Sequence, residues 1–439
     1  MPPHQRDGLE WDESGFDLKP RWARQPQVDK IAQVCRRTLD LSVKDRCLIT
    51  FHAEGAFNKV YLVDTPRGTS LLRVSLPVDP KHKTLGEVTT LRWIRRMTHA
   101  PVPKIIAFDD SQDNEIGFEW ILMELMPGVS AYKRWRKMSM AQKTWLVEQV
   151  ADFQSQLFRR SLEDAKFQSI GTLSPGNPES EHHTPSSDPK PGRIVSHMFF
   201  MGDSFDYDIA RGPFRSSHDW LNAYLSIVDE EQARVFADEE ADEDDREVAE
   251  YYQRVATKLT KLLPKIFPPL QNPAEQTVLW HDDLSLPNIL VDDDGKVTAL
   301  IDWECVSCKP LWMTAELPKF LLGPTREEEP NRDGYGDASD DVMGSDELDD
   351  EGKTELYWIH LMEYERTQLR KVYADKMKQL WPQWETEVTY APLKLDFFGA
   401  VARCANGWYL KRTEQWVDAV EGGAFPRLMD VLQGNLNSR

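Results

Sequence analysis

The chain has 439 residues, 40% of them hydrophobic and 29% charged, with 53 Lys and Arg against 73 Asp and Glu for a net charge of −20. That apolar fraction supports a sizeable core and excludes full-length disorder or collagen-like structure, and the length predicts two or three domains. The acidity disfavours sequence-blind DNA or RNA binding, because phosphates repel such a chain, so no nucleic-acid partner is expected.

Apolar residues at helical spacing (Val28, Ile31, Ala32, Cys35, Leu39) predict a first helix over 28–39. Three short β-rich runs follow at 47–51, 59–63 and 70–74, separated by Glu54-Gly55-Ala56 and Pro66-Arg67-Gly68, the pattern of an antiparallel meander. Leu85, Val88, Leu91 and Ile94 predict a helix over 84–97, and strands are expected at 102–107 and 118–125 before Pro127-Gly128 breaks the chain. Beyond that break the pattern is mainly helical, at 141–158, 218–228, 247–263, 311–322, 354–380, 393–409 and 426–432. Strand-like pieces interrupt it at 277–280, 289–291 and 297–301, and a Pro- and Ser-rich loop at 174–192. Strands first and helices second predict an α+β architecture of two lobes, not alternating β-α-β. The expected boundaries are an extension over 1–45, a β-rich N-lobe over 46–127 and a helical C-lobe over 128–439. A cleft between lobes is where small ligands bind.

Most of the negative charge is local. Residues 238–247 hold eight carboxylates and one arginine, and residues 327–351 hold twelve and one, together −18. Such blocks predict solvated loops or disordered segments, with attraction of a cationic ligand as the alternative. No run of 18 apolar residues predicts a membrane span, and residues 1–19 have neither signal nor transit character. Five cysteines with a single C-x-x-C, Cys305 and Cys308, fall short of a disulfide framework or a zinc site. They predict inert thiols in a reducing compartment, read as the cytoplasm. The tryptophans of the C-lobe, among them Trp312, Trp358, Trp381, Trp384, Trp408 and Trp416, are expected in its core.

The most informative segment is His281-Asp282-Asp283-Leu284-Ser285-Leu286-Pro287-Asn288, followed by Ile301-Asp302-Trp303. Asp283 and Asn288 lie between strand-like runs, and Asp302 ends the next run. Pairing of those runs would gather two carboxylates and an amide oxygen around one point. These are hard donors suited to Mg²⁺ together with substrate phosphates, the parts needed for phosphoryl transfer. Chance occurrence of H-x-D-x₄-N with a trailing D-W is roughly one per cent or below in a chain of this length. The N-lobe offers an independent sign. Ala53 to Tyr61, with its single Gly55, lies where a phosphate-covering hairpin should be. Arg73 sits inside an apolar strand and needs a partner, which Glu87 on the next helix could supply.

These residues resemble the aminoglycoside phosphotransferase-like family, in its fungal-type branch, within the protein-kinase-like fold. The resemblance runs over about 51–320 and is most specific at 281–302. It implies ATP and Mg²⁺ as cofactors and a small hydroxyl-bearing acceptor, cationic if the acid blocks lie near the cleft. Asp283 would be the catalytic aspartate, with Asn288 and Asp302 holding Mg²⁺. Arg73 would bind phosphate, braced by Glu87, under a hairpin carrying Gly55 and Asn58. Glu124 to Met126 would form the hinge whose backbone meets adenine. Two residues depart from the family pattern: Asp282 stands where Gly is usual, and Arg73 offers a planar fork where Lys offers a point charge. A pseudokinase that binds nucleotide without transfer is the alternative. A protein kinase is disfavoured: the chain has Asp282 in the middle of the first motif, Asp302-Trp303-Glu304 as the second, no later A-P-E, and Ser285 where a Lys usually follows the catalytic Asp.

Overall fold

In the computed structural model of the chain, the described residues are 6–14, 18–176, 189–269, 274–336, 352–407 and 409–434. A hairpin of β1 (Leu9–Asp12) and β2 (Lys19–Trp22) precedes helix α1 (Val28–Thr38). Then come β3 (Leu48–Glu54), β4 (Asn58–Thr65), β5 (Gly68–Ser75), α2 (His82–Met97), β6 (Ile105–Asp109) and β7 (Glu119–Glu124). The five strands β3 to β7 form one antiparallel sheet in the order β3-β4-β5-β7-β6. Its alternating side chains serve two faces. Leu72, Val74, Trp120 and Leu122 pack with Ile31, Val34 and Cys35 of α1, and Ile121 and Met123 meet Val88 of α2. With both faces covered, β7 is apolar at four consecutive positions, Trp120 to Met123, and α2 is held rigidly against the site.

Gly128 marks the passage to the C-lobe. It adopts φ +105°, and a Cβ there would lie 2.8 Å from the Val291 carbonyl oxygen, so only glycine fits. The next pair, β8 (Val129–Ser130), joins β12 of the C-lobe, and Thr298 donates to the Pro127 carbonyl at 2.6 Å, so the linker is anchored on the strands that carry the site.

The C-lobe opens with α3 (Ala131–Arg134) and α4 (Met140–Glu163), the latter started by a Ser139–Gln142 capping box. Short strands β9 (Leu173–Ser174) and β10 (Lys190–Pro191) pair, and α5 (His197–Phe200), α6 (Ser217–Ala237) and α7 (Glu243–Ile266) follow. Strands β11 (Thr277–Trp280), β12 (Ile289–Val291), β13 (Val297–Leu300) and β14 (Ser307–Pro310) lie in the middle. Helices α8 (Glu355–Leu380), α9 (Trp384–Tyr390), α10 (Pro392–Asn406), α11 (Leu410–Glu421) and α12 (Leu428–Leu432) complete the lobe. One continuous apolar core, with Trp135, Trp220, Trp312 and Trp416 among its members, unites these helices with the strands.

Several expectations change. The acid block at 238–247 is not a loop throughout. Asp242 and Asp245 form a capping box, and Glu243, Asp244 and Asp245 occupy the first turn of α7, where the helix dipole favours carboxylates. The helix expected over 311–322 is two 3₁₀ turns, Leu311–Ala315 and Lys319–Leu321, because Pro318 interrupts it. The helix expected over 393–409 ends at Asn406. Gly407 caps it at φ +71°, where a Cβ would meet the Tyr252 hydroxyl, and α11 starts anew. Trp408, part of the loop at 174–192, and residues 337–351 of the second acid block lie outside the described residues.

Candidate active site at the lobe interface

Strand β11 delivers the chain into the 281–288 loop. The Nδ1 of His281 accepts from the Asp283 backbone N–H (3.2 Å), and its Nε2 donates to the Ile301 carbonyl (3.1 Å), which together fix the tautomer. Burial pushes the imidazole below its ordinary pKa, so it is neutral and serves as a strut between the loop and the end of β13. The Asn288 amide donates to the Asp283 carbonyl (2.9 Å) and to its carboxylate Oδ2 (3.2 Å), leaving the amide oxygen for another partner. Antiparallel pairing of Ile289 with Leu300 and the Ile301 N–H to Asn288 carbonyl bond (3.0 Å) then set Asp302 beside this pair. Asp302 has φ +64°, a left-handed conformation that costs energy and concentrates at functional sites. Its carboxyl is pushed up to about 6 by burial and by the Glu304 carboxylate, against the pull of Arg73 and Lys83.

The opposite wall comes from β5 and α2. Arg73, paired across the sheet with Val60 and Ile121, forms an ion pair with Glu87, both side chains buried, and its other guanidinium nitrogen lies 4.0 Å from Asp302. Arg73 and Glu87 thus face Asp302 across the interface, and the backbone bond from Ile301 to Asn288 links Asp302 to the Asn288–Asp283 pair, so the five residues form one set joined partly through the main chain.

Two further members of this set were invisible as a pair in the sequence. Lys83, on the first turn of α2, is buried and reaches Glu304 at 2.5 Å. The Asn58 amide donates to the same Glu304 oxygen at 2.7 Å and accepts from Lys83 (3.0 Å) and Ser75 (2.9 Å). Burial alone would raise Glu304, but Lys83, Arg73 and the Asn58 amide outweigh it and hold the carboxyl below its usual range. The side chain of Asn58, expected at the nucleotide, is thus engaged within the protein.

Phe57 follows the exposed tip of the hairpin and packs on Phe200 (5.4 Å between ring centroids) and His197 (5.2 Å) of α5, so the C-lobe holds the hairpin down. Gly55 at that tip is exposed, and a Cβ there would meet nothing within 4 Å. Glu124 ends β7. Its backbone N–H donates to the Lys104 carbonyl (2.9 Å), and its carboxylate accepts from the Lys104 N–H (3.2 Å), with Arg95 at 3.7 Å. Met126, half-buried, lies between it and the Gly128 anchor.

Asp282 proves to have a definite partner. The buried Lys309 ammonium lies 3.7 Å from it and 4.5 Å from the Trp220 ring centroid. Burial would lower Lys309, yet Asp282, Tyr224 and Glu316 hold it above its ordinary value. The extra carboxylate answers a buried cation twenty-seven residues further along the chain.

The donor set fits Mg²⁺. Among the described residues no group of three His, Cys, Asp or Glu is arranged to hold a metal. The Asp302 carboxylate and the Asn288 amide oxygen supply hard donors and leave the remaining positions to phosphates and water, as Mg²⁺ prefers.

Comparison with known proteins completes the picture. The chain is similar to a Subtelomeric hrmA-associated cluster protein of Aspergillus fumigatus, 26% identical over 314 residues, covering 61% of this chain and 59% of that protein. It is also similar to Altered inheritance of mitochondria protein 9, mitochondrial, of Saccharomyces cerevisiae, 23% identical over 403 residues, covering 81% and 62%. The chain thus spans about 60% of the length of the curated relatives it matches. Among solved structures it is similar to a thermostable mutant of aminoglycoside phosphotransferase APH(4)-Ia, at 12% identity and a TM-score of 0.42, covering 93% of this chain and 100% of that one. The sequence profile of the Phosphotransferase enzyme family matches residues 48–313, from β3 of the N-lobe through the Asp302 motif. With more than half of its length so matched, the chain belongs to the Phosphotransferase enzyme family.

Proposed function

We propose that the protein is an ATP- and Mg²⁺-dependent phosphotransferase acting on a hydroxyl of a small molecule. The connected set Asp283–Asn288–Asp302–Arg73–Glu87 carries this reading, together with membership of the family. In it, Asp283 accepts the proton of the acceptor hydroxyl, and Asn288 fixes that carboxylate in place. Arg73, braced by Glu87, grips nucleotide phosphates from the N-lobe. Asp302 and the Asn288 amide oxygen would hold the metal, which when bound neutralises phosphate charge. The backbone between Glu124 and Met126 is where we place adenine.

A small acceptor is favoured over a protein. After Asp302 the chain passes within a few residues into β14, paired with β11, and then into two tight 3₁₀ turns, so no long polypeptide-docking segment lies between Asp302 and Leu321. Near Asp283 the carboxylates of Asp282, Asp283 and Glu316 face the two cations Lys309 and Lys319, a wall whose charges are largely paired among themselves. We place the protein in a reducing compartment, read as the cytoplasm, in keeping with the free cysteines Cys35, Cys47, Cys305, Cys308 and Cys404.

The test is purified protein with Mg·ATP and a fractionated metabolite extract. A phosphorylated product that disappears with Asp283→Ala supports the reading. Nucleotide binding without any product would leave a binding module instead.

A further inference from the structure

Asp283 is gripped from two sides. Asn288 takes Oδ2, and the Lys319 ammonium lies 2.7 Å from Oδ1. Lys319 does not belong to the 281–288 loop. It starts the 3₁₀ turn Lys319–Leu321, well beyond the metal motif. Its side chain is 57% exposed, but the backbone beneath it is fixed. The Phe320 N–H donates to the Leu284 carbonyl at 3.0 Å, Phe320 and Leu321 are buried, and Arg370 of α8 donates to the Leu321 carbonyl at 2.8 Å. The turn is thus bonded directly to the residue after Asp283, and the ammonium is the exposed end of a side chain whose backbone is held by that bond.

The charges around it make this cation consequential. The 281–288 loop contains Asp282 and Asp283 and no Lys or Arg, with Ser285 two residues after Asp283. Of the other cations nearby, Lys83 faces Glu304 and Lys309 faces Asp282. A polyanionic nucleotide approaching Asp283 therefore meets Lys319 as the cation beside that carboxylate.

We infer that Lys319 is a catalytic residue that carries the transferred phosphoryl group, supplying from a separate turn the cation that the 281–288 loop lacks. The inference rests on the phosphotransferase reading above. As the acceptor oxygen forms its bond to the γ-phosphorus, the bond from that phosphorus to the bridging oxygen breaks and its electron pair leaves on ADP. The acceptor's proton passes to Asp283. Lys319, already drawn from Oδ1 to the γ-phosphate when the nucleotide binds, stays with the equatorial phosphoryl oxygens through the transfer. The same ammonium therefore tightens binding of the γ-phosphate and neutralises charge on the phosphoryl group during transfer. Lys319 itself exchanges no proton.

The experiment titrates Mg·AMP-PNP and Mg·ADP calorimetrically into the wild type, Lys319→Met and Lys319→Arg. A charged hydrogen bond to the γ-phosphate predicts about ten- to hundredfold weaker AMP-PNP binding in Lys319→Met, with ADP affinity within about twofold of wild type and most of the loss restored in Lys319→Arg. ADP binding in the same variant doubles as the folding control. Equal loss for both nucleotides, or no loss for either, overturns the assignment of Lys319 while leaving the site as a nucleotide site. A wild type that binds neither nucleotide overturns both.

Discussion

Lys83 of α2 and Glu304, two residues past Asp302, form a buried ion pair at 2.5 Å that ties the N-lobe helix directly to the Asp302 turn of the C-lobe. Glu304 also takes the Asn58 amide, so one carboxylate fixes the base of the hairpin, the start of α2 and the Asp302 turn together. The relative placement of Arg73 and Asp302, which belong to different lobes, follows from this joint.

Breaking the joint on one side should be expensive. Removing one partner of a buried pair strands the other charge and typically costs about 3–5 kcal/mol. Lys83→Met and Glu304→Gln are each expected to lower stability by roughly that amount in urea unfolding, and the double variant by clearly less than the sum. Additive losses would show that the two charges are not coupled.

Asp282 offers a second, less intuitive prediction. Restoring the family's glycine with Asp282→Gly should not improve the protein, because Lys309 would lose a partner while still buried. Asp282 is 49% exposed and Glu316 also faces Lys309, so the expected loss is discounted to about 1–2 kcal/mol of stability. The coupled change Asp282→Gly with Lys309→Met should recover part of it.

Much of the N-lobe was legible from residue pattern alone. The meander, α1, α2 and the position of Arg73 inside an apolar strand followed from periodicity and from turn residues. In the 281–302 segment the two strand-like runs were legible, and they pair as β12 and β13. What escaped was non-local. Lys83 and Glu304 are ordinary charges in one dimension, and only the closure of the lobes buries them against each other. Lys319 was hidden because a continuous helix was expected where Pro318 makes a turn. The charge run at 238–247 concealed a capping box, Asp242 with Asp245, because density of like charge outweighed that local signal. The hairpin of β1 and β2 was missed for want of alternation in so short a segment.

Glu231 of α6 supplies a pH signature independent of the site. Burial, and then the neighbouring Asp203 carboxylate, push it up to about 7. The folded state thus holds a proton there that the unfolded state releases near 4.5. Stability from this residue is complete below about 4.5 and is lost as pH rises towards 7, with no further change above that. Glu231→Gln keeps the shape without the charge. It is expected to raise the melting temperature by about 2–4 °C at pH 8 and to change it little at pH 4.5. Equal shifts at both values would contradict the assignment.

Glu87 should matter to nucleotide binding rather than to the fold alone. Glu87→Gln releases Arg73 from its brace within the same volume, and about tenfold weaker binding of Mg·ADP is expected. Unchanged affinity would remove Arg73 from the phosphate site.

In the proposed site Asp302 and Asn288 hold a metal for nucleotide phosphates opposite Arg73. This is tested most directly by calorimetric titration of AMP-PNP into the wild type and Asp302→Ala, each with Mg²⁺ and with EDTA. Wild-type binding is expected to strengthen at least tenfold with Mg²⁺, and Asp302→Ala to lose that strengthening. Binding that ignores Mg²⁺ in both proteins, or no binding in either, would contradict this.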